Sequence, residues 1–156
     1  MEWSHIDARG NACMVDISAK AESVRHAEAF AEVLLGEEAF CAVEQQQIAK
    51  GDVLAVARIA GIQAAKKTSE LIPLCHSIPL AHIAIHFSLK VENHSVAILS
   101  QVKTTASTGV EMEALTAAGV AALAIYDMCK ALNKAIRITD IHLVSKTGGK
   151  SGNFQG

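Results

Sequence analysis

Asp127 and Lys130 stand three positions apart at the end of a segment, Ala114 to Tyr126, that holds 13 residues and no charge. On a helix turning about 100° per residue, positions i and i+3 lie roughly 60° apart, so the carboxylate and the ammonium share one face. An acid and a base held side by side at the end of an apolar rod are suited to proton transfer. The spacing is therefore expected to place them in one pocket. Leu74-Cys75-His76 forms a second candidate, lying between Pro73 and Pro79, the only prolines in the chain. A segment pinned by prolines holds its side chains with little mobility. His76 could grip a ligand or move a proton near neutral pH, or Cys75 and His76 could join a metal site. Adjacent residues seldom chelate one ion well and no C-x-x-C pair occurs, so a metal is not expected.

Lysines supply the third pattern. Lys50 precedes Gly51-Asp52 at a helix entrance, Lys66 and Lys67 follow about four turns later, and Lys134, Lys146 and Lys150 come near the end. Each alone reads as a solvated surface residue. Together with Lys130 they could line a pocket for a small polyanion. The tail Ser145-Lys146-Thr147-Gly148-Gly149-Lys150-Ser151-Gly152 resembles a phosphate loop, because glycines admit close backbone approach and lysines neutralise phosphate. It is not a Walker A motif: position 144 is Val where Gly is needed, and no helix is expected after it.

The elements that must position these groups follow from periodicity. His82 to Val91 alternates polar and apolar residues, Asn93-His94 turns the chain, and Ser95 to Thr105 continues the alternation, which predicts an antiparallel hairpin. His82 and His86 fall on its polar face and read as solvated rather than ligating. Asp52 caps a helix predicted over Val53 to Leu71, and Thr108-Gly109 opens a long helix from Val110 to about Asn133, with Glu111 and Glu113 in its first turn. A strand is expected over Ile136 to Val144 and another over Met14 to Ser18. Glu22 to Leu35 fits helix and strand alike; as a strand it completes βαββαβ, a ferredoxin-like α+β core with helices on one face of an antiparallel sheet.

The bulk numbers narrow the function. At 156 residues, 51% hydrophobic, with mean hydropathy +0.27, the chain has the size and content of one folded domain over residues 1–156. Aromatic residues make up only 4%, so the core is built of small aliphatic side chains that allow close helix contacts and sealed subunit interfaces; a homo-oligomer is expected. A net charge of −2 and pI near 6.4 disfavour nucleic acid, and Phe87 is the hairpin's sole aromatic, which argues against an RNA-stacking sheet. The uncharged run Ala114 to Tyr126 is too short to span a bilayer, and Met1-Glu2-Trp3-Ser4-His5 lacks signal-peptide character, so no membrane association and a cytoplasmic location are expected. Cys13, Cys41, Cys75 and Cys129 suggest no disulfide framework.

Seven blocks closely resemble the molybdenum cofactor biosynthesis protein C family, the cyclic pyranopterin monophosphate synthases. They are Met14 to Ser18, Lys50 to Val53, Ala57 to Ile62, Leu71 to His76, Thr108 to Leu115, Tyr126 to Lys130 and Gly148 to Gly152, in the family's order across nearly the whole chain. The resemblance implies strand for Glu22 to Leu35, a hexamer of dimers with active sites at subunit interfaces, and an upstream radical GTP cyclase as pathway partner. The implied reaction converts 3′,8-cyclo-7,8-dihydro-GTP to cyclic pyranopterin monophosphate with release of pyrophosphate. Asp127, Lys50 and Lys130 match the catalytic groups. Leu74, Cys75, His76, Glu111, Met112 and Glu113 match substrate contacts, with Lys66, Lys146 and Lys150 as further ones. Mg²⁺ accompanying the substrate phosphates is the one cofactor the reaction suggests. Three departures from the family pattern stand out: Ser77-Ile78 separates His76 from Pro79, Thr147 stands where serine is frequent, and Cys13 stands where histidine is expected. A binding module without catalysis is the competing reading, because a ferredoxin-like sheet does not dictate activity.

Overall fold

The computed structural model describes residues 5–149 and 152–156. Strand β1 (Ser23–Leu34) buries Ala27, Ala29, Ala31 and Val33 on one face and presents His26, Glu28, Phe30 and Glu32 on the other. This decides the ambiguous segment, because a helix would have scattered those four buried residues around its circumference. Helices α1 (Glu37–Glu44), α2 (Val53–Lys66) and α3 (Thr68–Leu71) lead to the hairpin strands β2 (His82–Lys90) and β3 (Ser95–Ala106). Helix α4 (Glu111–Cys129), strand β4 (Arg137–Thr147) and the short β5 (Phe154–Gln155) complete the chain. The sheet order is β2-β3-β1-β4-β5 and every pairing is antiparallel, so the first four strands have the ferredoxin-like βαββαβ arrangement.

Small residues set the layer spacing. On α4, Ala114, Ala117, Ala118, Ala121, Ala122 and Ile125 are fully buried, and they face Val96, Ile98 and Val102 of the sheet within one core. By length and composition α4 could cross a membrane, but here it is the central core helix, in contact with β1, β3, β4 and α2. Helix α2 lies antiparallel beside it: Lys50, just ahead of α2, reaches Asp127 at the end of α4, and Gly61 meets Ala117 and Ala121. A Cβ at Gly61 would sit 2.8 Å from the Ala117 carbonyl oxygen and 2.3 Å from Ile85 Cδ1. Gly61→Val is accordingly expected to destabilise the fold by about 3 kcal/mol, read as a lowered urea midpoint with unchanged slope.

Four expectations need correction. Met14 to Ser18 is not a strand; it keeps the alternating exposure of one, with Val15 and Ile17 half-buried, but joins no sheet ladder. The helix predicted over Val53 to Leu71 breaks at Lys67, because the buried Thr68 hydroxyl donates to the carbonyls of Ala64 and Ala65 and the chain restarts as α3. Helix α4 ends at Cys129 rather than Asn133. The last strand runs on to Thr147, so Ser145 and Lys146 lie in the sheet, and β5 pairs back onto them. The hairpin stands as expected, its turn made by Val91–Asn93 and a left-handed His94 (φ 51°), with His82 and His86 exposed.

Candidate active site

The sequence-derived site residues separate into two groups at opposite ends of α4. At its C-terminal end, Lys130 Nζ lies 2.6 Å from Asp127 Oδ1. Lys50 Nζ donates to the Asp127 carbonyl oxygen at 2.7 Å and stands 3.5 Å from Oδ2. The Asp127 carboxyl is held below the ordinary carboxylate range, first by the Lys130 hydrogen bond and then by the charges of Lys130 and Lys50. The same hydrogen bond raises Lys130 above the ordinary lysine value. Near neutral pH Asp127 and Lys130 are therefore an ionised carboxylate gripping a firmly protonated lysine. The side chains are 60% and 51% exposed and line none of the described cavities, so the expected pocket is not formed around them within one protomer.

Two cavities open at the other end. The smaller, about 420 Å³, is lined by Leu74, Cys75 and His76 from the Pro-bounded loop and by Glu111, Met112 and Glu113 from the first turn of α4. Val15 and Ile17 close its side, which is what the extended Met14 to Ser18 block does instead of pairing in the sheet. The loop is tied down on both flanks: Thr104 Oγ1 donates to the Pro79 carbonyl, and His76 Nε2 meets the Val15 carbonyl oxygen at 2.7 Å. A carbonyl only accepts, so Nε2 carries the proton and Nδ1 is the ring atom left to take one.

Burial, and then the nearby Glu113 charge, push the Cys75 thiol up, so it stands in the wall as S–H rather than as a thiolate. Glu113 is only 5% exposed, and burial raises its carboxyl above the ordinary value near 4.5, with Glu111 adding to the shift. A raised folded-state value means that the carboxyl costs no stability below pH 4.5 and costs progressively more as the pH rises through its folded value. Glu113→Gln is therefore expected to raise the melting temperature at pH 7. The gain should shrink toward zero near pH 4, as thermal melts at the two pH values would show.

The larger cavity, about 620 Å³, shares Lys20, Thr108, Gly109 and Glu111 with the smaller and adds Arg25, His26, Ser107, Lys146, Gly148 and Gly149. Lys146 Nζ pairs with Glu111 Oε1 at 2.9 Å. Ser23 Oγ, on the same wall, is the buried side-chain polar atom left without a partner among the described residues. Arg25 donates to the carbonyls of Ala106 and Ser107, and the Gly148-Gly149 turn lies directly against it. A Cβ at Gly149 would be 1.8 Å from Arg25 Nη1, and both glycines have positive φ, so this turn needs glycine at both places.

Lys20, Arg25 and His26 are absent from the sequence-derived site. For Arg25 the signal was the glycine pair, which packs directly against its guanidinium; Lys20 and His26 carried none. Lys66 is exposed on the last turn of α2, at the cavity end of the helix layer, but lines neither cavity. Lys150 lies outside the described residues. Among the described residues no three His, Cys, Asp or Glu side chains are grouped so as to hold a metal ion.

The MoaC family model matches residues 14–149. The chain is 57% identical over 151 residues to a cyclic pyranopterin monophosphate synthase of Heliobacterium modesticaldum, spanning 97% of this chain and 95% of that protein. It is 52% identical over 153 residues to a protein of the same name from Clostridium botulinum, spanning 98% and 96%. Against the molybdenum cofactor biosynthesis protein 1 of Homo sapiens it is 52% identical over 153 residues, covering 98% of this chain and 24% of that longer one. With the match running from the extended segment beside the smaller cavity to the glycine turn of the larger, the chain belongs to the MoaC family.

Proposed function

We propose that this chain is a cyclic pyranopterin monophosphate synthase, a pyrophosphate-releasing lyase of molybdenum cofactor biosynthesis that acts by acid/base catalysis. Full-length identity to proteins of that name carries the reaction, and the two cavities at the start of α4 support its chemistry. The substrate is 3′,8-cyclo-7,8-dihydro-GTP, supplied by an upstream radical GTP cyclase. Its ring system occupies the smaller cavity, against Leu74, Cys75, His76, Met112 and Glu113. Its phosphates enter the larger one, beside Lys20 and Lys146. Mg²⁺ travels with the phosphates; the described protein residues offer it no grouped ligand set.

Rearrangement of the reduced purine needs protons given and taken at neighbouring atoms, so the groups that move them must lie within hydrogen-bond reach of the ring. Glu111 and Asp127 are 16 residues apart on one helix, roughly 24 Å at 1.5 Å per residue. One protomer therefore cannot bring Asp127 to the ring held near Glu113. The reading we adopt completes each site with the Lys50–Asp127–Lys130 cluster of a second copy, within a hexamer of dimers in the cytoplasm. Val56 and Ile59 on α2 and Leu123 on α4 support such an assembly, being apolar and 45%, 56% and 58% exposed on the outer face of the helix layer. In the assembled site Lys130, kept cationic by Asp127, donates a proton; Asp127 or Lys50 accepts one. A hydroxyl of the substrate gives up its proton to the accepting group and attacks the α-phosphate. The new O–P bond closes the cyclic ester as the bond from the α-phosphorus to pyrophosphate breaks, and Lys146 and Lys20 neutralise the charge of the departing group.

The test is to incubate the purified chain with the cyclised dihydro-GTP and to quantify pyrophosphate alongside the oxidised, fluorescent pterin. Equal amounts of the two are expected. A substrate that binds and stays intact would instead identify a binding module.

A further inference from the structure

The Glu111–Lys146 ion pair poses a problem for a phosphate-binding cavity. Both side chains are less than a third exposed, 28% and 29%, and Glu111 borders both cavities while Lys146 lines only the larger. The pair thus stands on the boundary between the two spaces. Glu111 opposes phosphate binding in two ways: it repels the incoming anion, and it occupies the cation nearest to it.

Its position is built into the backbone. The Glu111 carboxylate folds back over Gly109, where a Cβ would lie 1.9 Å from Glu111 Oε2, so any other residue there would displace it. Lys146 is fixed from the opposite side, since β4 holds it in register with Ala27 on one edge and with Phe154 of β5 on the other. The two partners come from separate elements 35 residues apart, each held in place independently of the other.

We propose that Glu111 competes with pyrophosphate for Lys146: substrate phosphate takes the lysine on entry, and the carboxylate recovers it as the product departs. Glu111 is then a product-release residue, which sets how tightly the leaving group is retained. The proposal rests on the assignment of the phosphates to the larger cavity. It concerns a different step from the proton transfers at Asp127.

Calorimetric titration of inorganic pyrophosphate into the full chain tests it without any turnover. Glu111→Gln is expected to bind pyrophosphate about tenfold more tightly than the unaltered chain, or about 1.4 kcal/mol. Lys146→Ala should bind it more weakly, and adding Glu111→Gln to Lys146→Ala should bring no gain, because the competition needs the lysine. Glu111→Ala should shift affinity in the same direction if the amide disturbs the helix entrance. In turnover, Glu111→Gln should be inhibited by about tenfold less pyrophosphate. If affinity is unchanged in both Glu111 variants, or if the gain persists without Lys146, the proposal is overturned. Turnover intact with no competition would remove this role and leave the synthase standing; competition without turnover would do the reverse.

Discussion

Replacing Asp127 with asparagine is expected to lower kcat by about a thousandfold, within the range that one positioned proton-transfer group supplies, while the melting temperature stays unchanged. The two halves of this expectation have separate causes. Asp127 is 60% exposed and belongs to no part of the core, so the fold does not depend on its charge. The carboxylate does hold the Lys130 ammonium at 2.6 Å and lies 3.5 Å from Lys50 Nζ, so its loss frees Lys130, leaves Lys50 held by the Asp127 backbone carbonyl alone, and removes the cause of Lys130's raised pKa. An amide retains the shape and cannot replace the charge. Lys130→Ala should lose activity comparably, and the double variant little more, because groups that act as a unit are not additive. Steady-state kinetics on folded protein, with melting curves alongside, would measure this. A binding module would show no such dependence.

The hairpin was readable from residues alone because each face of β2 and β3 meets a different environment, which writes a period of two into His82 to Val102. Strand β1 was not, since alanine at 27, 29 and 31 suits either element, and the choice is made by packing under α4, where only small side chains fit. Helix α1 lies in a stretch for which periodicity makes no assignment. It has eight residues and buries only Ala39, Phe40 and Val43. The break at Lys67 turns on one hydroxyl, and the Met14 to Ser18 segment keeps a strand's alternation because a cavity, rather than a sheet, covers one of its sides.

For the candidate site, the residue types were legible and their distribution was not. Asp127 and Lys130 do share a face, and the Pro-bounded loop does meet the start of α4, both as local spacing suggests. That Glu113 and Asp127 sit at opposite ends of one helix is already contained in the helix expected from Val110; what no short motif contains is the long-range packing that brings the Pro-bounded loop to its start and Lys50 to its end. Arg25 was missed for the same reason, since its partners Ala106 and Ser107 are more than 80 residues away along the chain.

In the proposed assembly each site joins the α4 entrance of one copy to the Asp127 end of another. The direct measurement is complementation between two variants, Asp127→Asn and His76→Ala, each assayed alone and after the two are unfolded, mixed in equal amounts and refolded together. Each should be nearly inactive alone. Random pairing gives half mixed dimers with one intact site in two, so the mixture should recover about a quarter of the unaltered chain's activity. No recovery from a mixture shown to contain mixed oligomers would mean that both groups serve one site within a single protomer, and would contradict a site shared between two copies.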